Sequence, residues 1–246
     1  MICAKCEFCG EEGKEGVKGH VIPESFFWDI VDQPGNVLKQ RSQDSFPKRR
    51  PVGIYETDAW CRDCEVTHFQ HPDNYAIGIL RTPIGQFKKE GRPTAAYLLD
   101  IESPDMLKLF FICLLWRAAV SRHELFREVE LDKDELNQVV EMIKTKTPGD
   151  VHDFGVIVAT TDGDPHIISD AKQHMEGGIR YFRFYLGRFV AQIKVDKNPL
   201  PSHYILPAVH EGVPFAVIKN APKSSMFEGY RSIATSSLNH KDGKLK

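Results

Sequence analysis

The chain has no surplus of charge of one sign, no long uninterrupted apolar run and none of the common catalytic signatures, and each absence closes off a class of protein. Its 32 Lys and Arg stand against 34 Asp and Glu, a formal net charge of −2, so no global basic field draws it to a polyanion. The first 90 residues show the same balance, 12 basic against 14 acidic; any nucleic-acid binding must come from a local patch. The most apolar stretch, residues 107–120, carries Lys108 and Arg117 and falls short of the ~20 residues of a membrane span. The first residues turn polar at once, without the apolar segment of a secretory signal. A cytoplasmic protein with no membrane association is the expectation. There is no Gly-x-Ser-x-Gly elbow and no dinucleotide fingerprint. Met175-Glu-Gly177-Gly178 reads as a turn, because no strand–loop–helix pattern surrounds it.

The 246 residues suffice for one sizeable core, or for a small domain joined to a larger one. The composition changes near residue 90. Residues 1–90 are dense in Cys, Gly, Pro and His with little periodicity, and a small domain of that kind needs a staple such as a metal ion. Within it, residues 21–60 are punctuated by Pro34-Gly35, Pro47 and Pro51, which predicts turns and short strands. Residues 91–246 read as an α+β domain. Ser103-Pro104-Asp105 starts a helix expected to run to about Leu125 and to be buried all round. Asp132 with Glu135 forms a capping box for a second helix, which ends before Pro148. Strands are expected over residues 154–160, 179–184, 189–195 and 214–218, forming an antiparallel sheet, with Tyr185 to Arg188 as a turn. The Lys-rich end from His240 is expected to fray.

Six cysteines in a reducing compartment point to metal or free thiols rather than disulfides. Cys6-x-x-Cys9 and Cys61-x-x-Cys64 are separated by 51 residues. Each such turn aims two sulfurs at one point, and two turns complete a tetrahedral four-sulfur site for one structural zinc ion. Gly10 suits the tight turn after the first pair, and the second pair precedes a short helical stretch, residues 65–70. A knuckle, a long excursion and a ligand pair opening a helix is the treble-clef order. Cys3-x-x-Cys6 is a competing pair, in which Cys3 replaces a ligand. Cys113 sits in the apolar helix and reads as a core residue.

Between the two pairs lies Gly19-His20-Val21-Ile22-Pro23. This segment resembles the histidine strand of the HNH, or His-Me finger, endonucleases. The likeness is closest to bacterial and phage HNH-like proteins with a His-Ile-Ile-Pro segment, a Cys-x-x-Cys-Glu pair and a later Phe-x-x-x-Leu-x-Trp-Arg helix. Here these are His20 to Pro23, Cys61 to Glu65, and Phe110 to Arg117. The resemblance implies a metal-dependent hydrolase of DNA or RNA phosphodiesters, DNA ahead of RNA. It makes His20 the general base, with Glu65 where the family has a cation-holding Asn and Gly19 where it has an Asp. Mg²⁺ or a similar divalent ion takes one or two protein carboxylates. Glu65 can be one, and His68, three residues on along a helical face, a second ligand. Lys39, Arg41, Lys48, Arg49 and Arg50, with only Asp44 among them, form a local basic segment suited to phosphate contacts. Trp116 and Arg117 read as core and buried partner, and a buried Arg requires an acceptor. The alternative reading, favoured by Gly19, is a catalytically inactive zinc finger that binds a protein or nucleic-acid partner in phage-conflict or mobile-element biology.

Overall fold

The computed structural model describes residues 2–27, 38–41, 48–50, 54–91, 95–160 and 167–219. Strand β1 (Ile2–Lys5) turns back into β2 (Glu12–Ile22), and β3 (Leu38–Arg41), β4 (Lys48–Arg50) and β5 (Ile54–Cys61) follow. β5 enters a helix at once. This helix, α1, spans residues 62–80 in three sections: Arg62–Cys64 is α-helical, Glu65–Phe69 is π-helical and Gln70–Leu80 is α-helical again. Next come β6 (Lys88–Glu90), β7 (Ala96–Leu99), α2 (Pro104–Val120) and α3 (Lys133–Thr145). The remainder is β8 (Val156–Thr160), β9 (Ile167–Ser169), β10 (Lys172–Glu176), β11 (Ile179–Leu186), β12 (Phe189–Lys194), the single-turn α4 (Ser202–Ile205) and β13 (Phe215–Ile218).

The class is α+β, with three sheets among the described residues. The first is antiparallel, in the order β1-β2-β5, and the second runs β10-β11-β12-β8-β13-β7-β6. The expected antiparallel sheet is therefore a mixed one: β13 inserts between β7 and β8 and runs parallel to β8. The physical reason is that β12 already ends beside the start of β8, with Ile193 opposite Val156; the connection through α4 crosses to the other edge of β8 at that same end, so β13 reverses relative to β12 and therefore runs parallel to β8. The third sheet, β4-β3-β9, holds the basic segment, with Lys39 in register opposite Arg49. The boundary expected at residue 90 falls inside the β6–β7 hairpin, where Glu90 pairs with Ala96. One hydrophobic cluster joins Phe8, Trp60 and Phe69 to Trp116 of α2 and to Phe182 and Val217 of the large sheet. The fraying expected from His240 lies outside the described residues. Among those described, no helix is long and apolar enough to cross a membrane.

Helix α2 is the centre of this core. Its start is as expected: Pro104 stands in the first turn and the Ser103 side chain accepts from Met106 N at 3.2 Å. Its end is not. The helix stops at Val120 rather than Leu125, because the Glu56 carboxylate of β5 accepts from Ser121 Oγ at 2.5 Å and from the backbone N–H of Arg122 and His123 at 2.9 and 3.1 Å. Donors that a longer helix would have turned inward are bound by a side chain instead. Residues 124–126 then form a separate 3₁₀ turn. The capping box of Asp132 and Glu135 opens α3 as expected.

Two charges are buried in α2, and each has its acceptor. Lys108 Nζ donates to the carbonyl oxygens of Gly149 and Asp150, and burial pulls its pKa down to about 8. Arg117 donates with Nη1 and Nη2 to the two oxygens of Asp73 at 2.7 and 2.8 Å. Burial opposes its charge, but the facing carboxylate outweighs that and holds it above its ordinary value. The Arg117 side chain is 1% exposed and that of Asp73 14%, so removing one partner leaves the other charged and nearly dry. Arg117→Met is expected to lower stability by about 3–5 kcal/mol, read from the urea midpoint. Adding Asp73→Asn should recover part of that loss, because the pair is one coupled unit.

Candidate functional site

The site begins with four sulfurs. Cys6 follows β1, and the turn after it is closed by Gly10 N donating to Cys6 O at 2.8 Å and Cys6 N donating to Glu11 O at 2.9 Å. Gly10 sits at φ +78°, where a side chain would be strained. The second pair is placed by the strand-to-helix junction: Cys61 ends β5 and Cys64 lies in the first turn of α1. The Sγ atoms of Cys6, Cys9, Cys61 and Cys64 all lie within 4.8 Å of one another. Cys6 Sγ and Cys64 Sγ are 3.8 Å apart, the edge of a tetrahedron whose metal–sulfur bonds are about 2.3 Å. This group is able to hold a metal ion.

The electrostatics of the cluster suit a cation. Burial opposes ionisation of Cys6, but the backbone N–H groups of Cys9 and Cys61, 3.5 and 3.4 Å from its sulfur, outweigh it and hold its pKa below the ordinary thiol value. Burial and the neighbouring sulfurs push Cys64 the other way. Crowded sulfurs that cannot all ionise alone can do so around a positive ion. Cys3 stands apart: its buried thiol donates to Asp58 O at 3.0 Å. Cys113 is fully buried in α2.

Beside the cluster, β2 and α1 face each other across a groove of about 650 Å³, lined by His20, Glu24, Glu65, Gln70, Asp73 and Asn74 among others. His20 comes from β2, in register with Tyr55 of β5, whose ring stands edge-on at 6.1 Å. His20 Nε2 is 3.5 Å from Glu24 Oε2. Burial is the largest influence on its pKa and lowers it; Glu24 and, across the groove, Glu65 act in the opposite sense. Its imidazole is therefore neutral at pH 7 and available to accept a proton.

The π-helical section decides which residues of α1 reach this groove. Glu65 is followed there by Gln70, then by Asp73, Asn74 and Ile77, a step of five and then steps of three and four. The wider π turn inserts the extra residue, and Phe69, Pro72, Ala76 and Leu80 face the core. The expected helix of residues 65–70 continues to Leu80 because Pro72 stands in the first turn of the last α-helical section, where a missing N–H is tolerated.

The same register separates Glu65 from His68. Three residues apart in an α-helix share a face, but across this π turn they do not. His68 packs on Phe8 at 4.9 Å and lines a small cavity of about 190 Å³ beside Cys9, Cys61 and Cys64. The structure thus brings His20 and Glu65 together, and places His68 on the cysteine side. Lys39, Arg41 and Lys48 to Arg50 lie on β3 and β4. Gln70 and Asn74 were missed as groove residues, and Asp73 stood as a possible ligand only beyond Pro72; a pattern of 70, 73, 74 and 77 was legible only if the helix was carried through Pro72.

Gly19 has a steric cause. A Cβ there would lie 2.2 Å from Trp60 Cζ2 and 2.8 Å from Nε1, so the indole fills the space of any side chain at that position. Trp60 Nε1 donates to Glu65 Oε2 at 2.5 Å. No sequence signal announced Trp60, which is far from Gly19 along the chain.

Comparison of the chain with protein-family models, curated proteins and solved structures returns no match.

The purified protein is expected to carry one tightly bound metal ion per chain. Elemental analysis of Cys61→Ala should show most of that metal lost and a lower melting temperature, because binding and folding of this part are linked. Cys3→Ala should retain it; equal retention by both variants would remove the four-sulfur assignment.

Proposed function

We propose that the protein is a metal-dependent endonuclease of the HNH-like type, acting on DNA or RNA, with one structural zinc ion bound by Cys6, Cys9, Cys61 and Cys64 in a treble-clef module. The observation that carries this reading is the groove in which an imidazole from a strand faces a carboxylate from a helix, beside a four-thiol cluster. Four thiol ligands suit zinc, and a closed four-sulfur shell leaves no open position, which fits a structural ion rather than a catalytic one. No disulfide competes for these cysteines.

The chemistry follows from the groove. Neutral His20 takes a proton from the attacking water, and Glu24 at 3.5 Å balances the charge that develops on the ring. Glu65 offers its carboxylate to Mg²⁺ or a similar ion, which when bound supplies charge neutralisation at the scissile phosphate and leaving oxygen. Asp73 fits this role poorly, since both its oxygens accept from Arg117. The backbone register that sets Lys39 opposite Arg49 on adjacent strands supports a phosphate-contacting segment on β3 and β4.

One observation favours the second reading, an inactive finger that binds a protein or nucleic-acid partner. The position where the family has an Asp has no room for a side chain, because Trp60 occupies it. Incubation with duplex DNA, single-stranded DNA and RNA, with Mg²⁺, with Mn²⁺ and without added cation, separates the two. The expected result is cation-dependent cleavage that His20→Ala lowers about 100-fold or more while metal content stays unchanged. Its rate should fall with decreasing pH only below the ordinary histidine value of about 6.5, because burial lowers the His20 pKa and the base works in its neutral form. Absence of cleavage under every cation would leave the binding module standing.

A further inference from the structure

We infer that Trp60 is a positioning residue for Glu65: its indole fills the space above Gly19 and from there holds the Glu65 carboxylate at the groove opposite His20. The inference rests on the nuclease reading and deepens it. The ring that would meet a Cβ at position 19 at 2.2 Å is the same ring whose Nε1 donates to Glu65 Oε2 at 2.5 Å. Trp60 is 1% exposed, and Phe69 and Trp116 stand edge-on to it at 5.9 and 5.8 Å. The donor therefore cannot swing aside. Trp60 directly precedes Cys61 and Glu65 directly follows Cys64, so the sulfur cluster sets the separation of the two.

The kind of donor matters. Two carboxylates of α1 line the groove. Asp73 is gripped by a guanidinium that cancels its charge and occupies both of its oxygens. Glu65 is gripped by a neutral indole through Oε2, which fixes its rotamer without adding a positive charge at the carboxylate. Holding the carboxylate in advance removes an ordering cost that a free Glu side chain would meet on binding. Gly19 is thus part of the cation site: it makes room for the ring that orients the ligand.

The test uses the full chain with its thiol-bound metal in place, and Mg²⁺ and Mn²⁺ alone as probes. The three indole N–H signals of Trp28, Trp60 and Trp116 are followed by ¹H–¹⁵N NMR, with sequential resonance assignment of the wild type identifying that of Trp60. Glu65→Ala should shift the Trp60 signal, and Mg²⁺ should shift it in the wild type. Trp60→Phe keeps an aromatic ring in the core and removes the donor together with part of the indole's volume. It should weaken Mn²⁺ binding about 10- to 150-fold, as for loss of one hydrogen bond to a charged group. Glu65→Gln should weaken Mn²⁺ binding as well, and the double variant should be no weaker than Glu65→Gln, as coupled residues require. Gly19→Ala, which must displace the ring, should resemble Trp60→Phe. If Trp60→Phe does not fold, an unmoved Trp60 signal in Glu65→Ala still overturns the inference. If the wild type binds Mn²⁺ and cuts, but Trp60→Phe binds it equally well, the inference alone falls. If the wild type binds neither cation and cuts nothing, the nuclease reading falls and takes the inference with it.

Discussion

Four sulfurs within 4.8 Å of one another are the constraint on which the rest of the molecule's first third depends. They come from a turn after β1 and from the junction of β5 with α1, separated by 51 residues of chain. Bringing these ends together closes a long loop at an entropic cost, and four crowded sulfurs, those of Cys6, Cys61 and Cys64 in buried residues, repel one another as they ionise. A metal ion answers both difficulties at once, tying the ends and supplying the countercharge. Because β2 pairs with both β1 and β5, the same convergence fixes the distance between the strand that carries His20 and the helix that carries Glu65.

The second constraint is α2. Its near-complete burial makes it the common floor of the cysteine-bearing sheet, α1 and the large mixed sheet, and one hydrophobic cluster runs through all of them. Its polar residues are bound to particular partners. Arg117 takes Asp73 from α1, Tyr75 of α1 accepts from Ser103 N at 2.7 Å, and Glu56 of β5 terminates the helix. Apolar burial is indifferent to register; these directional contacts are not. They set the rotation and height of α1 on α2, and so the face that α1 turns to the groove.

The groove shows how much a single irregularity can decide. One π-helical section shifts every later residue of α1 by about 100° relative to Glu65, and so sends Asp73 and Asn74 to the groove and His68 to the cysteine side. Close approach of one glycine then places an indole where a side chain would have been, and that indole reaches the first carboxylate of the helix. The hydrogen-bond partners follow from the same arrangement: both oxygens of Asp73 accept from a buried guanidinium, while Glu65 accepts from a neutral indole.

Much of this was legible along the chain, wherever the information was local. Two Cys-x-x-Cys turns with a glycine after the first predict converging sulfurs by themselves. Ser103-Pro104 and the Asp132–Glu135 box predict helix starts, and an all-apolar helix with two charges predicts burial with partners. What lay beyond the sequence was set by groups distant along the chain. The identity of the partner of Arg117, the early stop of α2 under the Glu56 carboxylate, the insertion of β13 beside β8, and the filling of the space at Gly19 by Trp60 all depend on contacts across many intervening residues. The π turn belongs with them: it accompanies the burial of Phe69, Pro72 and Ala76 against the core and chooses which side chains meet His20.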